Sequence, residues 1–245
     1  MLSRNFRLQN VGDFTWLSTN YNFSKIAFYI DELIILNVTR NKSDFNNFCH
    51  TVNKLTAKCF VPIAAGGWIR SLDDAKKLLR NGADKVILNQ SLFNDKELIK
   101  KIAINFGQQC VVGSVDLKRN DDNKFVFVIN QTTESAEIEF SKGLNIFTNK
   151  HIGELYLNSI DQDGTGNGYD MSTLELVPND CNIPIIMAGG VGNAQHFKSG
   201  LCDPRVNAVA TAHLFNFIGD GLMKARKHLL DDNQRLAEWI EPSEI

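Results

Sequence analysis

Short apolar runs recur along the chain, and each is followed by a stretch in which apolar residues return every three or four positions. The runs are 31–38 (DELIILNV), 60–65 (FVPIAA), 84–89 (DKVILN), 110–116 (CVVGSVD), 153–160 (GELYLNSI), 183–188 (IPIIMA) and 206–211 (VNAVAT). Runs this continuously apolar suit parallel strands covered on both faces. The stretch 71–83 (SLDDAKKLLRNGA) carries the helical half of the pattern, with Ser71 as N-cap and Gly82 as C-cap. Strands and helices alternating through short connections predict a parallel α/β fold. One stretch departs: 124–140 (KFVFVINQTTESAEIEF) alternates more and predicts an excursion with extended segments. No linker or shift of composition divides the chain, so 1–245 is read as one domain.

Both an open sheet and a closed barrel satisfy this alternation. No GxGxxG follows an early run and no GxxxxGK[ST] occurs, which weakens the open-sheet nucleotide-binding alternatives. The chain also echoes itself. Residues 61–93 (VPIAAGGWIRSLDDAKKLLRNGADKVILNQSLF) resemble 183–215 (IPIIMAGGVGNAQHFKSGLCDPRVNAVATAHLF). Each copy has a strand starting at Xaa-Pro-Ile, a Gly-Gly, a helix, a second strand and a Leu-Phe. A βαβ unit repeated half a chain apart fits a (β/α)8 barrel of the TIM type built from two similar halves. Two units that converged independently are the alternative.

Composition narrows the partners. With 43% hydrophobic and 22% charged residues the chain has the balance of an ordinary soluble globular protein. A formal net charge of -2 gives no reason to expect nucleic acid or an anionic membrane surface. Cys49, Cys59, Cys110, Cys181 and Cys202 lack CxxC or His-paired spacing, which reads as reduced thiols of a cytoplasmic protein without a disulfide frame or metal site. No cofactor motif appears. No apolar run approaches the roughly 18 residues of a membrane helix, and the N-terminus has no hydrophobic leader core.

In such barrels function sits at the C-terminal strand ends and in the loops that follow. The loop 158–170 (NSIDQDGTGNGYD) sets Asp161, Asp163 and Asp170 among glycines. It is either a solvated turn or a loop whose amides, around Gly164, wrap a phosphate; its spacing does not match an EF-hand. The Gly-Gly pairs of AGGW (65–68) and AGGV (188–191) allow close backbone approach to an anion before a helix. Asp116 ends its run at the barrel lip. It is either a general acid/base with a pKa raised by burial, or a rim partner of Lys118 or Arg119. His213 follows the last run, and a lone histidine is more often structural. His50, His151, His196 and His228 have no triad or ligand spacing, and GxSxG is absent.

Taken together, GADKVILN, VVGSVDLKR, SIDQDGTGNGYD and IPIIMAGGVG resemble the cyclase subunit of imidazole glycerol phosphate synthase, the HisF family of histidine-biosynthesis barrels. The resemblance runs from about residue 4 to about residue 220. It implies a lyase that takes ammonia from a glutaminase (HisH-like) partner at the barrel's bottom. Ammonia would pass through the barrel to a bisphosphorylated ribulosyl substrate at the top, giving imidazole glycerol phosphate and an aminoimidazole carboxamide ribotide. It implies Asp116 as one of two catalytic aspartates, and Asp163, Gly164, Gly190 and Ala212 around one phosphate. Gly67, Asn89 and Gln90 fall at the other phosphate, and Glu32, Lys85 and Glu154 are three members of a charged gate at the ammonia entrance.

The chain departs from that pattern. Trp68 stands where the family has a third glycine and is expected to crowd the phosphate cradle. His213 replaces a serine near the second phosphate, Asn158 a threonine in the pocket, and Asn37 an aspartate at a strand end. These changes resemble a divergent branch found with surface-polysaccharide genes, where a cyclase-like barrel and a glutaminase supply ammonia to an enzyme that modifies a sugar. Three functions stay open: that ammonia-handling role, an active histidine-biosynthesis cyclase, and a non-catalytic scaffold that activates a glutaminase.

The opening MLSRNFRLQNVGDF does not read as a strand. Seven runs are present where a closed barrel needs eight. By the resemblance, the other catalytic aspartate belongs to a first strand, and NFRLQNVGD matches the loop after it. Truncation ahead of Met1, RNFRLQ serving as a strand, or a barrel open between its second and eighth strands would each account for the deficit. Truncation is preferred; it predicts mostly loop over 1–12, a first helix near Asp13, and a strand 31–38 unpaired on one side.

Overall fold

The computed structural model describes residues 2–4, 7–9, 12–21, 23–39, 45–130, 135–212 and 220–237. It opens with β1 (Leu2–Arg4) and β2 (Arg7–Gln9), an antiparallel hairpin that pairs Leu2 with Gln9 and Arg4 with Arg7. The loop expected over 1–12 is therefore corrected. A two-stranded ribbon needs no apolar alternation, and Arg7 and Gln9 are both exposed, so the hydrophobic pattern could not reveal it. Helix α1 (Phe14–Asn20) starts where expected: Asp13 is its N-cap, its carboxylate accepting from Trp16 N at 2.8 Å. The short α2 (Phe23–Ile26) follows.

All seven apolar runs form strands. They alternate with helices as β3 (Leu33–Leu36), α3 (Phe45–Thr56), β4 (Ile63–Gly66), α4 (Leu72–Arg80), β5 (Lys85–Leu88), α5 (Ser91–Asn94), α6 (Lys96–Phe106) and β6 (Val111–Arg119). After β6 the chain makes the expected excursion, β7 (Phe125–Asn130) and β8 (Ser135–Glu139), which pairs antiparallel with the end of β6. Then come α7 (Phe140–Gly143), β9 (Glu154–Ser159), β10 (Ile185–Ala188), α8 (Ala194–Leu201), β11 (Val206–Val209) and α9 (Gly221–Asp231). The parallel strands lie side by side in the order β3-β4-β5-β6-β9-β10-β11. With helices alternating between parallel strands, this is the architecture of a TIM-type (β/α)8 barrel. Among the described residues β3 pairs only with β4 and β11 only with β10, and the β1–β2 hairpin does not fill that gap.

Two sets of side chains hold the barrel. Outward-facing strand residues such as Ile63, Val86, Val111, Leu155 and Met187 pack with Val52, Leu78, Ile99 and Ile102 of the helices in one continuous core. Each such side chain contributes about 1.5–3 kcal/mol by leaving water. Inward-facing Ala64, Ile87 and Val112 pack with Ile34 and Tyr156 in the lumen. In α4, Ser71 caps Asp74 N as expected, but Asn81 is the C-cap and Gly82 follows it at φ +100°, the left-handed turn that suits glycine. The excursion is pinned by Phe127, whose ring stacks on Phe140 at 4.8 Å and also meets Phe93 and Phe147.

Candidate functional site

Strand alternation decides which residues see the lumen. On β9, Glu154, Tyr156 and Asn158 share one face; on β6, Val112, Ser114 and Asp116 do. The register pairs Val112 with Glu154 and Asp116 with Asn158. Polar groups therefore gather at the two ends of the lumen, with a mostly apolar layer between.

At the strand-end lip, Asp116 is buried. Its Oδ1 accepts from Asn158 Nδ2 at 2.9 Å and its Oδ2 from Asn89 Nδ2 at 3.0 Å. Asn89 also donates to Ser114 O at 2.9 Å, which fixes the amide's direction. Burial pushes the Asp116 carboxyl up to about 7. The Asn158 hydrogen bond opposes that rise, and the negative charge of Asp163 adds to it. A carboxyl that ionises near neutrality and is held at a fixed angle can take or give a proton. The rim-pair alternative does not hold: Lys118 binds Glu137 at 3.2 Å, while Arg119 turns to Ser172 at 2.8 Å and stacks on Phe125.

The loop after β9 is braced rather than loose. Asp161 accepts from Arg119 N at 2.8 Å, and Asp170 accepts from Ser172 N at 3.2 Å and also from its hydroxyl. Gly168 N donates to Gly190 O at 2.7 Å, zipping this loop to the end of β10. Gly190 sits at φ +102°, and a Cβ there would lie 2.1 Å from Gly168 O. Gly164 lies at φ +71° in the same loop. At the end of β4, Gly67 (φ +97°) passes so close to Asn37 O that a Cβ would lie 2.3 Å away. Trp68 follows at φ +64°, an uncommon backbone for a bulky residue. Its indole Nε1 donates to Thr39 O at 2.9 Å, tying this loop to the one after β3.

At the strand-start end, Lys85 Nζ lies 2.6 Å from Glu32 Oε2 and 2.8 Å from Glu154 Oε1. Burial works against the Lys85 ammonium, but its hydrogen bonds to Glu154 and Glu32 more than offset this and its pKa rises. Burial raises the Glu32 carboxyl, whose second oxygen, Oε1, is buried without a hydrogen-bond partner. Beside the cluster, Asp31 takes a two-pronged contact from Arg226 of α9, at 2.9 and 3.0 Å.

Residues 19–219 match the family described as "Histidine biosynthesis protein". The chain belongs to that family. It is 43% identical over 239 residues to the "Putative imidazole glycerol phosphate synthase subunit hisF2" of Parasynechococcus marenigrum (strain WH8102), a match covering 97% of this chain and 88% of that protein.

In this HisF-like barrel the residues singled out by the resemblance fall into two groups. Asn89 and Asn158 both donate to Asp116, and Lys85 pairs with both Glu32 and Glu154. Asp163, Gly164 and Gly190 belong to adjoining loops at the strand-end lip, and Ala212 is an exposed bend beyond β11. Gln90 stands at the start of α5 and makes no side-chain cap there. His213 lies outside the described residues. One residue of the site was not anticipated. Tyr156 stands in the lumen between the two polar layers, and its phenol is pushed up by burial and by the charges of Asp116 and Asp163. Counting back two positions from Asn158 would have found it. Arg119, weighed from the sequence as a rim partner of Asp116, instead braces the 158–170 loop. Among the described residues no group of three His, Cys, Asp or Glu is placed to hold a metal ion, and no helix is long and apolar enough to cross a membrane.

Proposed function

We propose that this chain is a cyclase-like barrel that works with a HisH-like glutaminase subunit, receives ammonia at the Lys85 end, and uses it or passes it on at the Asp116 end. One observation carries the reading: a single lumen has a Glu–Lys–Glu cluster at its strand starts and a buried, near-neutral carboxyl at its strand ends. The cluster is a ring of alternating charge that can part around a small neutral molecule. Asp116 Oδ1 and Oδ2 supply a proton acceptor or donor at the opposite lip. Gly164 and Gly190, with Asp163 and Ala212 alongside, form the phosphate-facing end of the same pocket.

The cyclase chemistry is altered in this reading. Asn158 donates an amide to Asp116 where the family places a threonine, and Trp68 replaces a flexible glycine at the β4 end. Nitrogen transfer to a surface sugar then fits better than histidine synthesis. The near-neutral Asp116 favours the second reading, an active cyclase. Purified chain supplied with ammonium salt and the bisphosphorylated ribulosyl substrate decides between them. Turnover at the rate of a histidine-biosynthesis cyclase refutes altered chemistry, and Asp116→Asn is expected to lower any proton-transfer rate by about 10²–10⁴. Mixed with a HisH-like glutaminase, the chain is expected to raise glutamine hydrolysis, and Lys85→Ala to abolish that rise. No association and no stimulation under any condition refutes the partnership.

A further inference from the structure

The two echoed halves can be compared position by position, because Pro62 matches Pro184 and the spacing is kept to the helix. Gly67 then matches Gly189 (φ +97° and +89°), and Trp68 matches Gly190 (φ +64° and +102°). The backbone path is conserved between the halves while the chemistry presented along it is not.

Three differences point the same way. Just before each helix one loop amide is taken by the side chain four residues on. In the β4 half Arg70 N donates to Asp74 Oδ2 at 3.0 Å; in the β10 half Gly192 N donates to His196 Nδ1 at 3.1 Å. A fixed carboxylate therefore stands at one loop and an imidazole at the other. Helix α4 has Asp73 and Asp74 in its first turn, and α8 has no acid there. Negative charge at a helix start satisfies the dipole that an anionic ligand would otherwise use. Finally, the β4 loop places the Trp68 indole where the β10 loop has bare backbone. The cation beside it, Arg70, lies over that ring with its guanidinium carbon 4.6 Å from the centroid.

We infer that the two ends of the pocket take different groups: phosphate at the β10 end only, and an uncharged part of the ligand at the β4 end, bounded by Trp68. The substrate class is thus a monophosphorylated compound, with Trp68 and Asp74 determining specificity against a second phosphate. This rests on the reading above that the β10 end holds a phosphate.

Isothermal titration of the full chain with ribulose 5-phosphate and ribulose 1,5-bisphosphate tests it. The wild type is expected to bind the monophosphate at least as tightly as the bisphosphate. Trp68→Gly combined with Asp74→His, which rebuilds the β10 pattern, should shift the ratio toward the bisphosphate by about tenfold or more, the scale of one charge-assisted contact. Trp68→Phe, which keeps the ring, should leave the ratio unchanged. A wild type that prefers the bisphosphate tenfold overturns the proposal and leaves the phosphate site standing, as does such a preference that disappears on Arg70→Ala. Binding of neither compound overturns the phosphate reading and this proposal with it.

Discussion

Asp116→Asn gives the sharpest test of the strand-end site. Burial lifts the Asp116 carboxyl from an ordinary 3.8 to about 7. Between those values the unfolded chain has released this proton and the folded chain has kept it, so stability falls as pH rises from about 4 to 7 and is level above. At about 1.4 kcal/mol per unit, the cost to the folded state is about 4 kcal/mol at pH 8 and on the order of 1 kcal/mol at pH 5. Asparagine removes the ionisation. It has one acceptor oxygen where Asn89 and Asn158 offer two donors, which loses about 1 kcal/mol. The variant should therefore be more stable than wild type by about 3 kcal/mol at pH 8 and nearly equal to it at pH 5. Urea denaturation of both proteins at the two pH values measures this, and thermal melting at pH 8 should show a gain of about 6–12 °C for a chain of this size. A gain independent of pH, or a loss at pH 8, would refute the assignment of a buried, proton-retaining carboxyl.

Removing the Lys85 charge with Lys85→Met leaves Glu32 and Glu154 facing each other. The expected loss is about 1–3 kcal/mol in urea denaturation, larger at pH 8 than at pH 5 because protonation relieves the repulsion; equal losses would count against the cluster. Gly190→Ala drives a Cβ to 2.1 Å from Gly168 O at a left-handed backbone and should cost about 2–4 kcal/mol. Gly166→Ala meets its nearest neighbour only at 3.9 Å and should cost about 1 kcal/mol, so similar melting temperatures for the two would undo the close-approach argument. Arg119→Ala should speed amide hydrogen exchange across 160–172 while leaving β9 protected, and unchanged exchange there would show that the loop does not depend on this brace.

Much of the architecture was legible along the chain. The seven apolar runs announced the seven parallel strands, because a strand buried on both faces must be apolar at consecutive positions. The repeated Pro-Ile, Gly-Gly pattern announced two matching βαβ halves. Ser71 marked a helix start through capping, a purely local interaction, while the start near Asp13 came from the family register and the structure shows Asp13 capping it. The β1–β2 hairpin escaped because a two-stranded ribbon does not require the alternating apolar face that a pattern records.

The residue pattern alone thus specifies the set of elements, their parallel class and a short roster of polar residues at strand ends. Which of those residues meet depends on the folded chain. Asn89 reaches Asp116 across 27 positions and Asn158 reaches it across 42, while Lys85 finds Glu32 and Glu154 across 53 and 69. Strand register brings these pairs together, and a slip of one residue would turn Asp116 away from the lumen. The acidity of Asp116 is likewise a property of its burial and of Asp163 nearby, and the left-handed turn at Trp68 is held by an indole bond to a different loop. Local patterns record burial and backbone preference, but the chemistry of this lumen comes from contacts that form only when the sheet curls.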